Sequence, residues 1–121
     1  MEFKGTDEIP YLKFEEDKGL LEIRGKSTCS DIVDFYQPLL EKMEDYVKNP
    51  RDIKLIIDLE YFNTKSSKLL LNLFKILSSV VDSGFKFKVD WYYDEDDEDI
   101  LEAGEDYKSI LKKAIFNFIE K

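Results

Sequence analysis

The residues best suited to chemistry are concentrated in Glu60-Tyr61-Phe62-Asn63-Thr64-Lys65-Ser66-Ser67-Lys68. Here an apolar strand gives way to an apolar helix, and the hydroxyls of Thr64, Ser66 and Ser67 crowd the junction. A helix N-terminus is electropositive and normally collects Asp or Glu. Lys65 and Lys68 occupy the first turn instead. Cations there oppose the dipole of a resting helix but suit one that will hold a phosphate. The pattern reads as a phosphoacceptor at Thr64, with Asn63, Lys65, Ser66, Ser67 and Lys68 as the phosphate's surroundings. A plain N-cap with two incidental lysines is the commoner use of the same residues, since Ser and Thr are ordinary caps.

A second concentration is the acidic run Asp94-Glu95-Asp96-Asp97-Glu98-Asp99. Clustered carboxylates suggest a divalent cation, but an EF-hand loop needs Gly at its sixth position and Glu at its twelfth. Counted from Asp94 those positions are Asp99 and Glu105, so only one condition is met. The run reads first as a solvated loop that caps the next helix. Its functional reading is a partner-facing surface of Tyr92, Tyr93, Asp94, Asp96 and Asp97. No metal site is assigned to it.

Composition narrows the remaining chemistry. The chain of 121 residues has no His and a single Cys, Cys29. That removes the usual general base, the Ser-His and Cys-His nucleophile systems and most zinc sites. The five glycines are scattered, so no phosphate-cradling loop exists. Carboxylate-only chemistry stays open, but these absences weigh against an enzyme, and no cofactor is expected. The net charge of −9 leaves no basic stripe for nucleic acid and no attraction to an anionic membrane. Nine Phe, seven Tyr and one Trp argue against a disordered acidic tail. Neither a signal peptide nor an apolar run of spanning length is visible, and an unpaired cysteine suits a reducing cytoplasm.

The elements that must position these residues follow from periodicity. Residues 1–8 read as a loose polar start. Tyr11–Glu15 and Leu20–Arg24 read as a hairpin turned at Gly19. Ser30 is the expected cap of a helix carrying Ile32, Phe35, Leu39, Met43 and Tyr46, which Pro38 should kink or split. Residues 53–62 form a third strand, with Leu55, Ile57, Leu59 and Tyr61 on one face. A helix over 64–83 follows, apolar around most of its circumference and stopped by Gly84. The fourth strand alternates Phe85, Phe87, Val89 and Trp91 with Lys86, Lys88, Asp90 and Tyr92. A further helix is expected from about Asp106 to Ala114. Residues 115–121 could extend it or run along the sheet edge.

Alternation in the third and fourth strands leaves one polar face, unlike a doubly wound sheet buried on both sides. The expected fold is therefore a single α/β domain of two layers. Its mixed sheet has about four strands in the order 1-2-3-4, strand 1 antiparallel, with helices on one face. Lys54, Asp58 and Glu60 should then lie near Lys86, Lys88 and Asp90 on the open face. Thr64 and the acidic run should share one end of the sheet, where functional loops collect.

Several stretches, taken together, resemble the SiaC family of bacterial regulatory phosphoproteins. They are Tyr61-Phe62-Asn63-Thr64-Lys65-Ser66-Ser67-Lys68, Tyr11-Leu12-Lys13-Phe14, Gly19-Leu20-Leu21-Glu22-Ile23-Arg24-Gly25, Phe35-Tyr36-Gln37-Pro38-Leu39-Leu40, Trp91-Tyr92-Tyr93 and the acidic run through Asp106. The resemblance implies a fold similar to STAS-type anti-sigma factor antagonists and a phosphoacceptor at Thr64. It implies a partner kinase and a PP2C-type phosphatase acting on Thr64. It also implies a non-enzymatic switch whose unphosphorylated form binds and activates a signalling partner such as a diguanylate cyclase, raising cyclic di-GMP; the alternative is a partner-switching protein like the anti-sigma factor antagonists. Lys65 departs from the family pattern, in which a hydroxyl residue more usually follows the threonine.

Overall fold

The computed structural model describes residues Met1–Lys121. Its elements are β1 (Glu2–Phe3), β2 (Tyr11–Glu15), β3 (Leu20–Ser27), α1 (Ile32–Tyr46), β4 (Ile53–Phe62), α2 (Thr64–Asp82), β5 (Phe87–Tyr93), α3 (Glu98–Ile110) and β6 (Ile115–Glu120). They form one six-stranded mixed sheet in the order β1-β2-β3-β4-β5-β6. β2 is antiparallel to β1 and β3, while β3, β4, β5 and β6 run parallel.

The expected order of four strands holds at the centre of the sheet, and two edge strands are added. Glu2–Phe3 pairs with Leu12 and Lys13 rather than lying loose, and Phe3 meets Phe35 edge-on at 5.6 Å. Residues 115–120 form the other edge, with Phe116 opposite Val89 and Phe118 opposite Trp91. Their inward rings stack at 6.0 Å and join the core. Alternation, not helical spacing, governs this segment.

All three helices contribute to a single core with the inward residues of the sheet. Leu21, Ile23, Leu55, Ile57, Val89 and Trp91 come from the strands, Ile32, Tyr36 and Met43 from α1, and Leu70, Phe74 and Leu77 from α2. The opposite sheet face is a lattice of ion pairs: Lys54 to Asp90 at 3.0 Å, Arg24 to Asp58 at 3.1 Å and Lys121 to Asp58 at 2.7 Å. Lys86, expected on this face, precedes β5 and instead gives its amide to Asp52 Oδ1 at 2.9 Å.

Four local expectations are corrected. Pro38 leaves α1 in one piece. Both Pro38 and Asp34, whose carbonyl loses its donor, face solvent, so water can satisfy that group. The α1 cap position is Asp31 rather than Ser30. α3 begins at Glu98, eight residues before the expected start, because Asp97 caps it and Ile100, Gly104 and Tyr107 form its buried stripe. Phe85 precedes β5 and is exposed.

Candidate functional site

The hydroxyl-rich segment around Thr64 is built where β4 ends. The register of β3 on β4 slips at Gly25/Lys26, so Lys26 pairs with Tyr61 and Ser27 with Phe62. The alternation of β4 reverses there. Phe62 turns inward against Trp91, ring centroids 6.3 Å apart, and Tyr61 turns outward to 61% exposure, contrary to its expected place on the apolar face.

Asn63 then takes an extended backbone and caps α2. Its Oδ1 accepts the Ser66 amide at 2.9 Å, and its carbonyl accepts the Ser67 amide at 3.0 Å. Its Nδ2 donates to the Cys29 carbonyl at 3.3 Å, fixing the cap to the β3–α1 connector. Thr64 is therefore the first helical residue and not the cap. Its side chain is exposed, and its hydroxyl has no hydrogen-bond partner within the chain.

The two serines behave differently. Ser66 is fully buried; its Oγ donates to the Ser27 carbonyl at 2.8 Å and lies 2.7 Å from Ser27 Oγ, which in turn lies 3.0 Å from Tyr36 Oη. Burial pushes the Tyr36 phenol well above its ordinary pKa, so it stays neutral. This hydroxyl chain locks α2 to β3 and α1. Ser67 is half-buried, and Tyr107 of α3 donates to its carbonyl at 2.7 Å, with Ser67 Oγ at 3.2 Å. Sequence reasoning missed Ser27 and Tyr36 as supports. Ser27 falls on the inward parity of β3 (Leu21, Ile23, Gly25, Ser27), and a polar residue on that face was the available signal.

Charge at this helix start is unusual. No acid lies in the first turn of α2. Lys65 and Lys68 are exposed and neither forms an ion pair; Lys65 Nζ donates to the Ser30 carbonyl at 3.1 Å. The macrodipole is thus uncompensated in the resting protein.

The acidic run follows β5, the parallel neighbour of β4, and so opens at the same end of the sheet. Asp97 Oδ1 accepts the Ile100 amide at 3.0 Å, and Glu98 and Asp99 occupy the first turn of α3. Asp94, Glu95, Asp96 and Asp97 line an open hollow with Lys121. No three carboxylates of the run converge as metal ligands. Lys121 Nζ lies between Asp58 at 2.7 Å and Asp94 at 3.9 Å, and the Asp58 hydrogen bond raises its pKa. Tyr92 is half-buried on the open face beneath the Arg24 guanidinium, 5.8 Å from its ring, whereas Tyr93 packs its inner side on the core.

The chain is similar to known proteins in sequence and in fold. The family model described as SiaC family regulatory phosphoprotein matches residues 3–121. An uncharacterised protein of Pseudomonas aeruginosa strain UCBPP-PA14 is 23% identical over 105 residues, covering 86% of this chain and 83% of the relative. The crystal structure of apo-SiaC from Pseudomonas aeruginosa superposes with a TM-score of 0.85 at 20% identity, covering 100% of this chain and 97% of that one. The crystal structure of the diguanylate cyclase SiaD in complex with its activator SiaC, from the same organism, matches with a TM-score of 0.92 at 20% identity, covering 100% and 99% of the two chains. No helix here is long and apolar enough to cross a membrane.

Proposed function

The chain belongs to the SiaC family of regulatory phosphoproteins, and from that premise we propose that it works as one cytoplasmic, non-enzymatic switch whose phosphoacceptor is Thr64. The observation that carries the reading is the free, exposed hydroxyl at the first position of α2, beside two unpaired lysines. Ser66 is an unsuitable competitor because its hydroxyl is buried and bonded on two sides. Ser67 is tied to Tyr107.

Phosphorylation of Thr64 adds about −1.5 to −2 charge at neutral pH. The helix dipole, Lys65 and Lys68 would stabilise it, while the acidic run at the same end of the sheet would oppose it. Asn63 and the Ser66–Ser27–Tyr36 lock hold the helix start fixed, so the phosphate acts through local charge and bulk rather than by refolding. A kinase installs the phosphate and a PP2C-type phosphatase removes it. The unphosphorylated form binds and activates a diguanylate cyclase, the enzyme held by the relative of known complex, and so raises cyclic di-GMP. Tyr92, Tyr93, Asp94, Asp96 and Asp97 flank the contact.

The test uses three forms of the purified chain: unphosphorylated, phosphorylated at Thr64, and Thr64→Ala. Each is titrated against the diguanylate cyclases of its own genome, with binding and cyclic di-GMP output measured. The unphosphorylated and Thr64→Ala forms should bind one cyclase alike, and the phosphorylated form should bind at least tenfold more weakly. Equal binding by the phosphorylated and unphosphorylated forms would refute the switch.

A further inference from the structure

We propose that the groove between α2 and α3 is the docking site for an acidic amphipathic helix of the partner, and that Lys68 at its mouth is the residue through which a phosphate on Thr64 closes it. The proposal rests on Thr64 being the phosphoacceptor, and it adds where the partner lies and what chemistry it presents.

Two hollows of about 210 Å³ each lie along the seam of these helices. One includes Ser67, Lys68, Leu71, Ala103 and Ile110, and the other Ser78, Ile110, Lys112 and Lys113. Ile110 lines both, so the two are adjacent and make one trough, walled opposite α2 by α3 as far as Ile110 and by the Leu111–Lys113 turn beyond it. From Ser67 to Ser78 the trough follows α2 for about 17 Å, or three helical turns. Its apolar lining is Leu71 and Ala103, both half-buried, and Ile110, which is 56% exposed where the two hollows meet. At the far end the Ser78 Oγ is buried without a hydrogen-bond partner. A trough between two packed helices presents ridges that a third helix can interlock with, read as anchors at i, i+3, i+4 and i+7.

Charge selects the occupant. The chain as a whole carries −9, yet the rim of this trough is cationic. Lys68 and Lys112 line it, and Lys75 is an exposed residue on the same face of α2, spaced four residues from Leu71 and three from Ser78. None of the three has an ion-pair partner, and the one unpaired carboxylate lining the trough is Asp106. Lys113 is already held by Asp82. A helix with carboxylates flanking an apolar stripe therefore fits, and one with basic flanks does not.

The same geometry gives the switch its sign. Thr64 and Lys68 are i and i+4 on α2, which makes them neighbours on one helix face. A phosphate on Thr64 takes Lys68 as its counter-ion and puts negative charge at the mouth of the trough. An acidic helix then loses an attractive contact and gains a repulsive one.

The experiment uses the full chain and three synthetic 18-residue peptides. The first has leucines at i, i+3, i+4 and i+7 repeats with glutamates elsewhere, the second replaces those glutamates with lysines, and the third scrambles the first. Backbone amide shifts locate binding, and anisotropy of labelled peptide measures affinity. The acidic peptide should shift Lys68, Leu71, Ala103 and Ile110, and the other two should not. Phosphothreonine at 64 and Lys68→Glu should each weaken binding at least fivefold, and Ile110→Glu, at an exposed position, should abolish it with the spectrum otherwise native. Absence of acidic-peptide shifts in the trough at millimolar concentration, equal binding of the basic peptide, or indifference to Lys68→Glu would overturn the proposal. So would concentration-dependent shifts of the same residues without peptide, which would mean that a second copy covers the trough. A cyclase that responds to Thr64 phosphorylation but not to Ile110→Glu would remove the trough and leave the switch standing.

Discussion

The helix starts after β4 and β5 are built alike and charged oppositely. Each follows one of two adjacent parallel strands, and each is capped by an Asx side chain accepting the amide three residues on: Asn63 to Ser66 at 2.9 Å and Asp97 to Ile100 at 3.0 Å. Beyond the cap they diverge. α3 opens with Glu98 and Asp99, the charges its dipole favours, while α2 opens with Thr64, Lys65 and Lys68. The acidic start is electrostatically complete as it stands. The basic start is complete only when an anion is added. Neighbouring copies of one local design thus separate a terminus whose dipole is compensated from one whose dipole is not, and the difference lies in charge rather than in backbone.

The largest test of this comparison attacks the support of the acidic start. A Cβ at Gly104 would lie 2.6 Å from Trp91 Nε1 and 2.8 Å from a Phe118 ring carbon. Gly104→Ala should therefore cost about 1–3 kcal/mol, seen as a lower denaturation midpoint, and should loosen α3 before α2 in amide hydrogen exchange.

Removing the caps probes what the two starts share. Asn63→Ala and Asp97→Ala should each cost about 1 kcal/mol in chemical denaturation. Asn63→Ala should cost the more, because Asn63 also donates to the Cys29 carbonyl. Equal costs would mean that this tether contributes nothing.

Reversing the charges probes what separates them. Lys68→Glu should stabilise the fold by about 0.3–1 kcal/mol at low salt, and Glu98→Lys should destabilise it by a similar amount. The two effects should shrink together as salt is added. Loss of stability in Lys68→Glu would contradict an uncompensated dipole at α2.

The smallest effect near neutrality is that of pH. The start of α2 is anchored by two buried phenols, Tyr36 of α1 through Ser27 to Ser66 and Tyr107 of α3 to Ser67, and burial raises both pKa values. An unfolded phenol ionises near pH ~10. The stabilisation these residues give is thus fully present below that pH and is lost as pH rises toward the folded values. With no His to titrate, stability should be nearly flat from pH 6 to 9 and fall at higher pH. Tyr36→Phe should make that alkaline fall shallower, as followed by urea denaturation at several pH values.

Legibility in the sequence varied with how local each cause was. The core order of four strands and the polar sheet face follow from side-chain alternation in residues 11–15, 20–24, 53–59 and 87–92, and these are readable; the continuation of β3 from Gly25 to Ser27 is not, because those residues read as a connector. The two edge strands were not. Glu2–Phe3 is too short to show a period, and Ile115–Glu120 alternates over only six residues beside a helix. Tyr61 points outward because Glu60 has no partner where Gly25 pairs with Leu59 and Lys26 with Tyr61, and this bulge in β4 is defined only by pairing with β3, 34 or more residues away in the chain. The early start of α3 was hidden by an acidic run that reads equally well as loop.

The sequence by itself determined the charge signature at the start of α2. Lys65 and Lys68 beside Thr64 mark a helix start of the wrong resting sign whatever surrounds it, because the dipole is a property of the helix alone. The absence of His and the single Cys excluded whole classes of chemistry on composition alone. Only the tertiary structure decided which hydroxyl is free. Asn63, not Thr64, took the cap; Ser27 and Tyr36 drew Ser66 inward; and Tyr107 engaged Ser67. Those partners come from β3, α1 and α3, elements distant in sequence, and packing alone brings their hydroxyls within hydrogen-bond reach.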